Sequence, residues 1–251
     1  MSPSAERPFE GRPHGVSFDC WNTLLYEANW SASHVRRVAE LHRVVAEAGH
    51  TTTPEEAAHA FDAAWSRHME LWRAERATGA VEVARWSLGI LGIELPGRDF
   101  DRLVDHWQRA SHTHVEAVAG SRSLLQRLRS LGIRTALVCD TGLTPGRVVR
   151  WHLEARGLLE LLEVQIFSDE VGVTKPHPRM FQAALEPLRV APERCVHVGD
   201  LRRTDVAGGR GAGMGTVRLR ARFDDQDALP EADAVADTHA HLGRLLGVAD
   251  A

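Results

Sequence analysis

The second half of the sequence alternates short apolar runs with longer amphipathic runs, and this alternation constrains the fold more than any other feature. After His114, four amphipathic segments are each followed by an apolar run: "SRSLLQRLRSLG" by "RTALVCD", "GRVVRWHLEARG" by "EVQIFS", "HPRMFQAALEPL" by "RCVHVGD", and "RTDVAGGRGAG" by "GTVRLR". A shorter pair, "DAVADTHAHLGRLL", comes after them, and a further apolar run, "GVSFDC", begins at Gly15. Repeated helix–strand units predict an α/β fold, in which helices cover both faces of a parallel sheet.

Residues 29–114 show a different pattern, which predicts a helical insertion. The stretch is rich in Ala, Arg, Glu and Trp, and turn-type sequences interrupt it at "GHTTTP", "ATGA" and "LPGRD". Thr53 before Pro54 is a good N-cap, because a Thr hydroxyl accepts a helix N–H and proline suits the first helical position. We therefore predict a core of residues 10–28 and 115–251 and a helical unit of residues 29–114. Most tryptophans of this unit are expected to pack between helices.

Composition and charge exclude several classes of partner. The chain has 30 Lys and Arg against 34 Asp and Glu, so its net charge of -4 gives no attraction to nucleic acid or to an anionic membrane. No run approaches the roughly 20 apolar residues that span a bilayer, and the polar start has no apolar signal-peptide core. The three cysteines lack metal-type spacing and are interpreted as reduced thiols. We expect a cytoplasmic protein that acts on a small molecule, and the sequence does not predict its oligomeric state.

Reactive side chains stand at the ends of the predicted strands. Asp19 ends the first strand, residues 139–141 (Cys-Asp-Thr) end the second, and Asp200 ends the fourth, while Lys175 follows the third. The carboxyl ends of parallel strands meet at the edge where α/β proteins bind ligands. Carboxylates there suit Mg²⁺, a lysine balances negative charge, and an aspartate can act as a covalent nucleophile.

Four stretches, in this order along the chain, resemble the motifs of the haloacid dehalogenase-like (HAD) superfamily, which is known mainly for phosphatases with an aspartyl nucleophile. They are "FDCWNTLL", "ALVCDTG", "GVTKPHPRMF" and "VHVGDLRRTDVAGGRGAGM". The resemblance covers about residues 15 to 247. It implies a Rossmann-like three-layer core with an inserted helical cap, and residues 29–114 are the expected cap.

The resemblance also implies roles for individual residues. Asp19 is expected to be the nucleophile, and Lys175 the lysine that balances its charge. The implied cofactor is Mg²⁺, and its expected ligands are these: Asp19, Asp200, Asp205 and the backbone carbonyl of Trp21. Substrate contacts are expected from a second set: Trp21, Thr23, Cys139, Asp140 and Thr141.

Two positions depart from the family's pattern. The family's phosphatases carry a second Asp, their general acid and base, two residues after the nucleophile, where this sequence has Trp21. The family's Ser or Thr of the second motif is replaced by Cys139, and Asp140 follows where Asn is common. Because general acid–base catalysis typically contributes about 10²–10⁴ in rate, ordinary phosphomonoester hydrolysis is expected to be slow. Mg²⁺ binding is expected to survive, since Trp21 retains a backbone carbonyl.

Three functions are open on these observations. The first is Mg²⁺-dependent hydrolysis of a small phosphorylated or related metabolite through Asp19. The second is carbon–halogen hydrolysis without a metal, as in the 2-haloacid dehalogenases, which also place an aromatic residue two positions after the nucleophile but generally lack the pair Gly199-Asp200. The third is a non-catalytic protein that keeps the fold for binding or regulation.

Two residues also have open alternatives. Trp21 is either a ring packed against the cap or a wall of the substrate pocket, and Asp140 is either a solvated turn residue or a replacement acid.

The glycine-rich run "GGRGAG" (residues 208–213) resembles a nucleotide-binding loop. It lies at the end of a predicted helix, whereas a nucleotide-binding loop joins a strand to the start of a helix. We therefore interpret these glycines as sites of close packing.

Overall fold

The computed structural model describes residues 9–110 and 114–249, and its centre is a six-stranded sheet. The strands of the described residues are β1 (Gly15–Phe18), β2 (Leu25–Glu27), β3 (Val115–Ala117), β4 (Arg134–Cys139), β5 (Val164–Phe167), β6 (Cys195–Gly199), β7 (Gly215–Leu219) and β8 (Ala234–Ala236). The sheet has the order β5-β4-β1-β6-β7-β8, and every neighbouring pair is parallel. The predicted α/β class with a parallel sheet is confirmed.

Helices pack on this sheet, and four more lie between β2 and β3. In chain order they are α1 (Trp30–Glu47), α2 (Pro54–Arg73), α3 (Ala80–Leu91), α4 (Gly97–Arg109), α5 (Ser121–Ser130), α6 (Gly146–Glu154), α7 (Ser168–Val171), α8 (Pro178–Leu188), α9 (Ala207–Gly211) and α10 (His239–Leu245). A π-helical turn, Arg202–Val206, precedes α9, and short 3-10 turns lie at Leu159–Leu161 and Pro192–Arg194. None of the described helices combines the length and the apolar character needed to cross a bilayer.

Strand β4 shows how one strand supplies two apolar layers. Leu137 and Cys139 belong to the cluster that includes residues of α5, α6 and α10, whereas Ala136 and Val138 pack with residues of α8. Successive side chains of a strand point to opposite faces of the sheet, so β4 buries both of its faces. This is why its sequence is a nearly continuous apolar run and does not alternate with polar residues.

We call α1–α4, residues Trp30–Arg109, the helical segment; it has an apolar cluster of its own. Phe61 of α2 and Trp107 of α4 are both buried and meet edge to face, with ring centroids 5.1 Å apart. Thr53 is the N-cap of α2, since its hydroxyl accepts the N–H of Glu56 and the Glu56 carboxylate accepts the N–H of Thr53. The antiparallel pair β2–β3 flanks the segment on both sides, and no pattern in the sequence predicts this pair.

Glycine at position 208 allows α9 to approach α8 closely. A Cβ atom on Gly208 would overlap the ring of Phe181 and would lie 3.2 Å from the Cα of Pro176. Gly211 lies in the same helix, but nothing lies within 4 Å of the corresponding position. Close packing therefore accounts for the glycine at 208.

We expect Gly208→Ala to lower the free energy of unfolding by about 1–3 kcal/mol, because the added methyl group forces α8 and α9 apart. Gly211→Ala is the matched control, with the same change in the same helix and nothing to displace. The control is expected to raise stability by up to about 1 kcal/mol, since alanine is the better helix former. Urea unfolding followed by circular dichroism measures both, and equal effects of the two variants would contradict the packing role of Gly208.

Candidate active site

Asp19 and Asp200 follow two neighbouring strands at one edge of the sheet. Asp19 comes directly after β1, and Asp200 comes directly after β6, which pairs with β1. The N–H of Asp19 donates to the carbonyl of Val198 at 2.8 Å, which extends the ladder between the strands. Gly199 leaves no room for a side chain, since a Cβ there would lie 2.5 Å from Oδ2 of Asp205. The two buried carboxylates therefore stand at the edge where α/β proteins bind ligands.

Lys175 joins two carboxylates of this edge. Its Nζ lies 2.6 Å from Oδ1 of Asp19 and 2.7 Å from Oδ1 of Asp205, and its side chain is 2% exposed. Lys175 is also the only lysine in the chain. Burial acts to lower the pKa of Lys175, but the charges of Asp19 and Asp205 outweigh it and raise that pKa well above its usual value. The ammonium is therefore a permanent cation between two like charges.

Asp205 is fixed by contacts to both of its carboxylate oxygens. Besides Lys175, Oδ1 has a contact of 3.3 Å with Nε2 of His197. Oδ2 accepts the N–H of Leu201 at 3.0 Å and the hydroxyl of Thr204 at 3.2 Å. Burial opposes ionisation, but the charge of Lys175 and the hydrogen bond of His197 hold the pKa of Asp205 below its ordinary range. Asp205 is therefore an ionised anchor for the lysine.

Asn22 orients Asp200. Its Nδ2 donates to Oδ2 of Asp200 at 3.1 Å. Asn22 has a φ of 62°, in the left-handed region that asparagine adopts more readily than most residues. Burial, followed by the charges of Asp19 and Asp205, raises the pKa of Asp200 well above its usual value. No motif in the sequence predicts Asn22 in this role, although an asparagine just after the predicted nucleophile is typical of a turn.

The site holds more buried carboxylates than cations. Asp19, Asp200 and Asp205 each offer one oxygen, and these oxygens lie within 4.8 Å of one another. Burial raises the pKa of Asp19 to about 7, although the charge of Lys175 acts in the opposite direction. Oxygen donors at this spacing suit Mg²⁺, and a bound cation would relieve the repulsion that raises the pKa of Asp200. The residues therefore fit a divalent cation.

A cavity of about 200 Å³ lies between these carboxylates and helix α2. Asp19, Lys175 and Asp200 line it from the core, and His68 and Trp72 line it from the helical segment. A phosphate-sized group in this cavity would meet both the lysine and the aspartates. The cavity thus brings together the predicted nucleophile, the predicted lysine and two residues of the segment that no sequence motif indicates.

His68 contributes a neutral imidazole to the cavity. It is buried, and its Nδ1 lies 2.6 Å from Oγ1 of Thr78. Burial lowers the pKa of His68 to about 4, so the ring carries no charge at neutral pH. A histidine within a helical pattern has no local feature that shows what it faces, which is why the sequence does not predict it as a site residue.

Asp140 links the core to the helical segment. Its Oδ1 accepts the backbone N–H of Lys175 at 3.0 Å, and its Oδ2 accepts the indole N–H of Trp72 at 2.8 Å. The guanidinium of Arg203 lies 3.8 Å from the centroid of the Trp72 ring. Burial raises the pKa of Asp140, and the charge of Lys175 partly offsets this. Asp140 is therefore a bonded link and not a solvated turn residue.

The predicted substrate contacts divide into two groups. Trp21 and Asp140 line this cavity, and both of them, together with Thr141, also line an adjoining cavity of about 330 Å³. The side chains of Thr23 and Cys139 are fully buried and line neither cavity, contrary to expectation. Cys139 lies on the face of β4 that packs into the apolar core, where burial raises the pKa of its thiol well above the usual value. The thiol is therefore inert.

Comparison with known protein families agrees with this geometry. Residues 13–213 match the family model described as haloacid dehalogenase-like hydrolase. The chain belongs to this family. The resemblance carried by the four motifs is thereby confirmed, and the HAD architecture accounts for the parallel sheet and its reactive edge.

Individual proteins resemble this HAD chain in part or in full. The glyceraldehyde 3-phosphate phosphatase of Pyrococcus furiosus is 33% identical over 112 residues, which are 44% of this chain and 45% of that protein. The chain thus spans less than half the length of the curated relatives it matches first. A HAD phosphatase structure from Thermococcus onnurineus has a TM-score of 0.64 at 21% identity and covers 94% of this chain and 99% of its own.

A 2-haloacid dehalogenase from Pseudomonas syringae pv. Tomato DC3000 has a similar structure. Its TM-score is 0.66 at 20% identity, and the match covers 92% of this chain and 97% of that chain. Since the phosphatase and the dehalogenase share the fold with this HAD chain, the structural likeness shows the fold alone.

We expect Lys175→Met to destabilise the protein by about 3–5 kcal/mol at pH 8, because the buried carboxylates lose their cation. Without it, the raised pKa of Asp19 rises further and the pKa of Asp205 no longer lies below its ordinary range, so the folded variant binds protons more tightly than wild type does. The stability of the variant then falls as the pH rises. Its deficit relative to wild type is expected to shrink between pH 8 and pH 5, as measured by thermal unfolding.

Arg179→Met is the control for this prediction, since Arg179 is an exposed cation close to Lys175 in sequence. Its effect is expected to stay within about 0.5 kcal/mol at every pH. A Lys175→Met deficit that is constant from pH 5 to pH 8 would contradict the assignment of Lys175 as the cation that lowers the pKa values of Asp19 and Asp205.

Proposed function

We propose that the chain is a Mg²⁺-dependent phosphohydrolase, with Asp19 as covalent nucleophile and a small phosphorylated molecule as substrate. The contact that carries this proposal is the Lys175 ammonium, 2.6 Å from Asp19 and 2.7 Å from Asp205. A buried ammonium beside a nucleophilic carboxylate offsets the charge that a phosphate brings. The curated relatives named glyceraldehyde 3-phosphate phosphatase support a phosphate ester as the substrate class.

The proposed reaction has two steps. In the first, a carboxylate oxygen of Asp19 bonds to phosphorus, the bond to the leaving oxygen breaks, and that oxygen departs with the electron pair. In the second, water attacks the phosphorus of the aspartyl phosphate, which releases inorganic phosphate and restores the Asp19 carboxylate. Lys175 holds Oδ1 of Asp19 throughout, while Asp205 fixes its ammonium and Asp140 fixes its backbone N–H.

Asp19, Asp200 and the backbone carbonyl of Trp21 would hold Mg²⁺, and Asp205 would support them. The ion, when bound, neutralises charge on the phosphate oxygens. Asn22 keeps one oxygen of Asp200 in place through its hydrogen bond. Because the pKa of Asp200 is raised by burial, a proton competes with the cation for this carboxylate, and affinity for Mg²⁺ is expected to fall as the pH is lowered.

Proton transfer to the leaving group is the step for which the usual residue is absent. Trp21 stands at that position, and an indole N–H acts as neither a general acid nor a general base at neutral pH. Asp140 lines the same cavity, but its two oxygens accept the N–H groups of Lys175 and Trp72. We therefore expect slow hydrolysis of alkyl phosphates, whose leaving oxygen needs a proton, and faster hydrolysis of phosphates with a stable leaving anion.

We also propose that the helical segment is a cap over the site, with residues 29–114 as the predicted unit; residues 111–113 of this range lie outside the described part. Two contacts at the end of α2 support this. Trp72 donates to Asp140, and Glu75 accepts the N–H of Thr174 at 3.3 Å, one residue before the lysine. A cap held there would exclude water from the nucleophile.

The location and partners of the protein stay predictions. Cys20, Cys139 and Cys195 are free and buried thiols, which supports a reducing compartment such as the cytoplasm. The net charge of -4 favours neither nucleic acid nor a membrane as partner.

Release of phosphate from acetyl phosphate separates this proposal from the two alternatives. Neither a metal-free dehalogenase nor a binding protein needs an excess of buried carboxylates, which favours the phosphohydrolase. Wild type is assayed with Mg²⁺ and with a chelator, and Asp19→Asn is assayed with Mg²⁺. Release is expected only from wild type with Mg²⁺. Release that survives the chelator, or that Asp19→Asn retains, would overturn the proposed mechanism.

Trp21→Asp is expected to raise Mg²⁺-dependent turnover of an alkyl phosphate such as glycerol 3-phosphate by up to about 10²–10⁴, because it restores a carboxyl group that can transfer a proton. The kcat/KM for an aryl phosphate is expected to rise less, since its leaving group departs as a stable anion. Steady-state kcat/KM on both substrates measures the difference, because kcat also contains the hydrolysis of the aspartyl phosphate, a step that both substrates share.

Trp21→Asn is the matched control, since it frees the same space but offers no acid. A gain in Trp21→Asn equal to that in Trp21→Asp would show that space, and not proton transfer, limits turnover. High wild-type activity on glycerol 3-phosphate that Asp19→Asn abolishes would show that another group already supplies the proton.

A further inference from the structure

A second cavity, of about 330 Å³, adjoins the first and is walled by indole rings. Trp21 lines it from the core, and Trp30 and Trp65 line it from α1 and α2. Trp21 and Asp140 also line the cavity that contains Asp19, so the two cavities lie side by side and share these residues. We call the second cavity the indole chamber.

A row of rings leads from solvent to the nucleophile's cavity. The ring centroids of Trp30 and Trp65 are 5.4 Å apart with an interplanar angle of 48°, and those of Trp65 and His68 are 4.8 Å apart at 31°. Trp30 is 48% exposed, whereas His68 is buried and lines the cavity with Asp19. Large flat side chains that line a cavity offer contact area to a planar ligand at little cost in side-chain entropy.

The polar groups of the indole chamber do not favour an ionic ligand. Arg37 is buried, which lowers its pKa to about 10, while the charge of Glu27 acts to raise it. Both residues line the chamber, so their opposite charges compensate. Asp140 is already bonded to Trp72 and to the backbone of Lys175. A group that lies in the chamber against these rings is therefore expected to be planar and uncharged.

We propose that the indole chamber holds the leaving group of the substrate, and that the substrates are phosphate monoesters of planar aromatic alcohols. This inference rests on the proposed phosphohydrolase function and assigns a substrate class to the same site. With the phosphate beside Asp19 and Lys175, the ester oxygen lies at the boundary that the two cavities share. The ring then lies against Trp21 and Trp65.

An aromatic leaving group agrees with the absence of a carboxylic acid at position 21. When the Asp19 oxygen bonds to phosphorus, the bond from phosphorus to the aryl oxygen breaks, and the aryloxide leaves with the electron pair. A phenol has a pKa near 10, so the aryloxide departs without a proton donor and takes its proton from water afterwards. An aryl ester thus does not need a carboxylic acid at position 21 in the first step, and the ring of Trp21 offers its leaving group a contact surface.

Trp65→Leu tests this assignment through the ratio of kcat/KM for 2-naphthyl phosphate to that for acetyl phosphate. Acetyl phosphate also has a stable leaving anion but carries no ring. Wild type is expected to favour the naphthyl ester, and the ratio is expected to fall about 3- to 10-fold in Trp65→Leu, mainly through KM, because one aromatic contact is lost.

Trp86→Leu is the matched control. Trp86 is a half-buried indole of the same helical segment that contacts Arg67 and lines neither cavity, so its ratio should equal that of wild type.

An unchanged ratio in Trp65→Leu, or an equal fall in Trp86→Leu, would overturn the chamber assignment and leave the phosphohydrolase proposal standing. If wild type hydrolyses neither 2-naphthyl phosphate nor acetyl phosphate, the phosphohydrolase proposal fails, and calorimetric titration with phenylphosphonate and methylphosphonate in Mg²⁺ decides on the chamber alone. The chamber assignment is supported if wild type binds phenylphosphonate more tightly than methylphosphonate and Trp65→Leu reduces this difference. Equal affinity of wild type for the two phosphonates overturns it. If Trp65→Leu does not fold, Trp30→Leu takes its place, since Trp30 is 48% exposed.

Discussion

The ion pairs of Lys175 with Asp19 and Asp205 are the contacts on which the arrangement of the site depends. Three carboxylates come together at one edge of a sheet, and a single buried ammonium holds two of them. Asp205 is in turn held by the N–H of Leu201, so the loop before α8 and the turn after β6 are joined through one amine. Buried ion pairs seldom add net stability, because desolvation costs about as much as the attraction returns. The pairs are therefore weak evidence for a role in stability, and they agree with the proposed role of Lys175 in offsetting the charge of a phosphate.

The same lysine also stands where the helical segment meets the core. Asp140 accepts the backbone N–H of Lys175 with one oxygen and the indole N–H of Trp72 with the other. The carbonyl of Glu75, just past α2, accepts the N–H of Thr174, the residue before the lysine. The position of α2 and the position of the ammonium are therefore not independent. Any displacement of α2 changes hydrogen bonds of Asp140 and Thr174 at the edge of the candidate active site, which couples access to the cavity with the geometry inside it.

The sequence predicts the architecture and the residues at the strand ends, but not what surrounds them. From sequence alone, one edge of the sheet is predicted to hold Asp19, Asp200 and Lys175, because the carboxyl ends of parallel strands lie at the same edge. The motif of Cys139 does not show which face of β4 its side chain joins; it shares the face of Leu137, which packs with residues of α5, α6 and α10. His68 and Trp72 reach the site from a helix whose docking depends on tertiary packing. The strands β2 and β3 have three residues each, too few for a periodic pattern.

Lys175 has one more property, which comes from composition and not from contacts. It is the only lysine among 251 residues. Incorporation of ¹⁵N-labelled lysine therefore places a single labelled side chain in the whole protein, at the centre of the candidate active site. Because the ammonium is buried and held by two carboxylates, its protons exchange slowly with water, and one Nζ resonance reports the cluster without any assignment experiment. Binding of a cation, a phosphate or an inhibitor at this edge becomes visible as the shift of one peak.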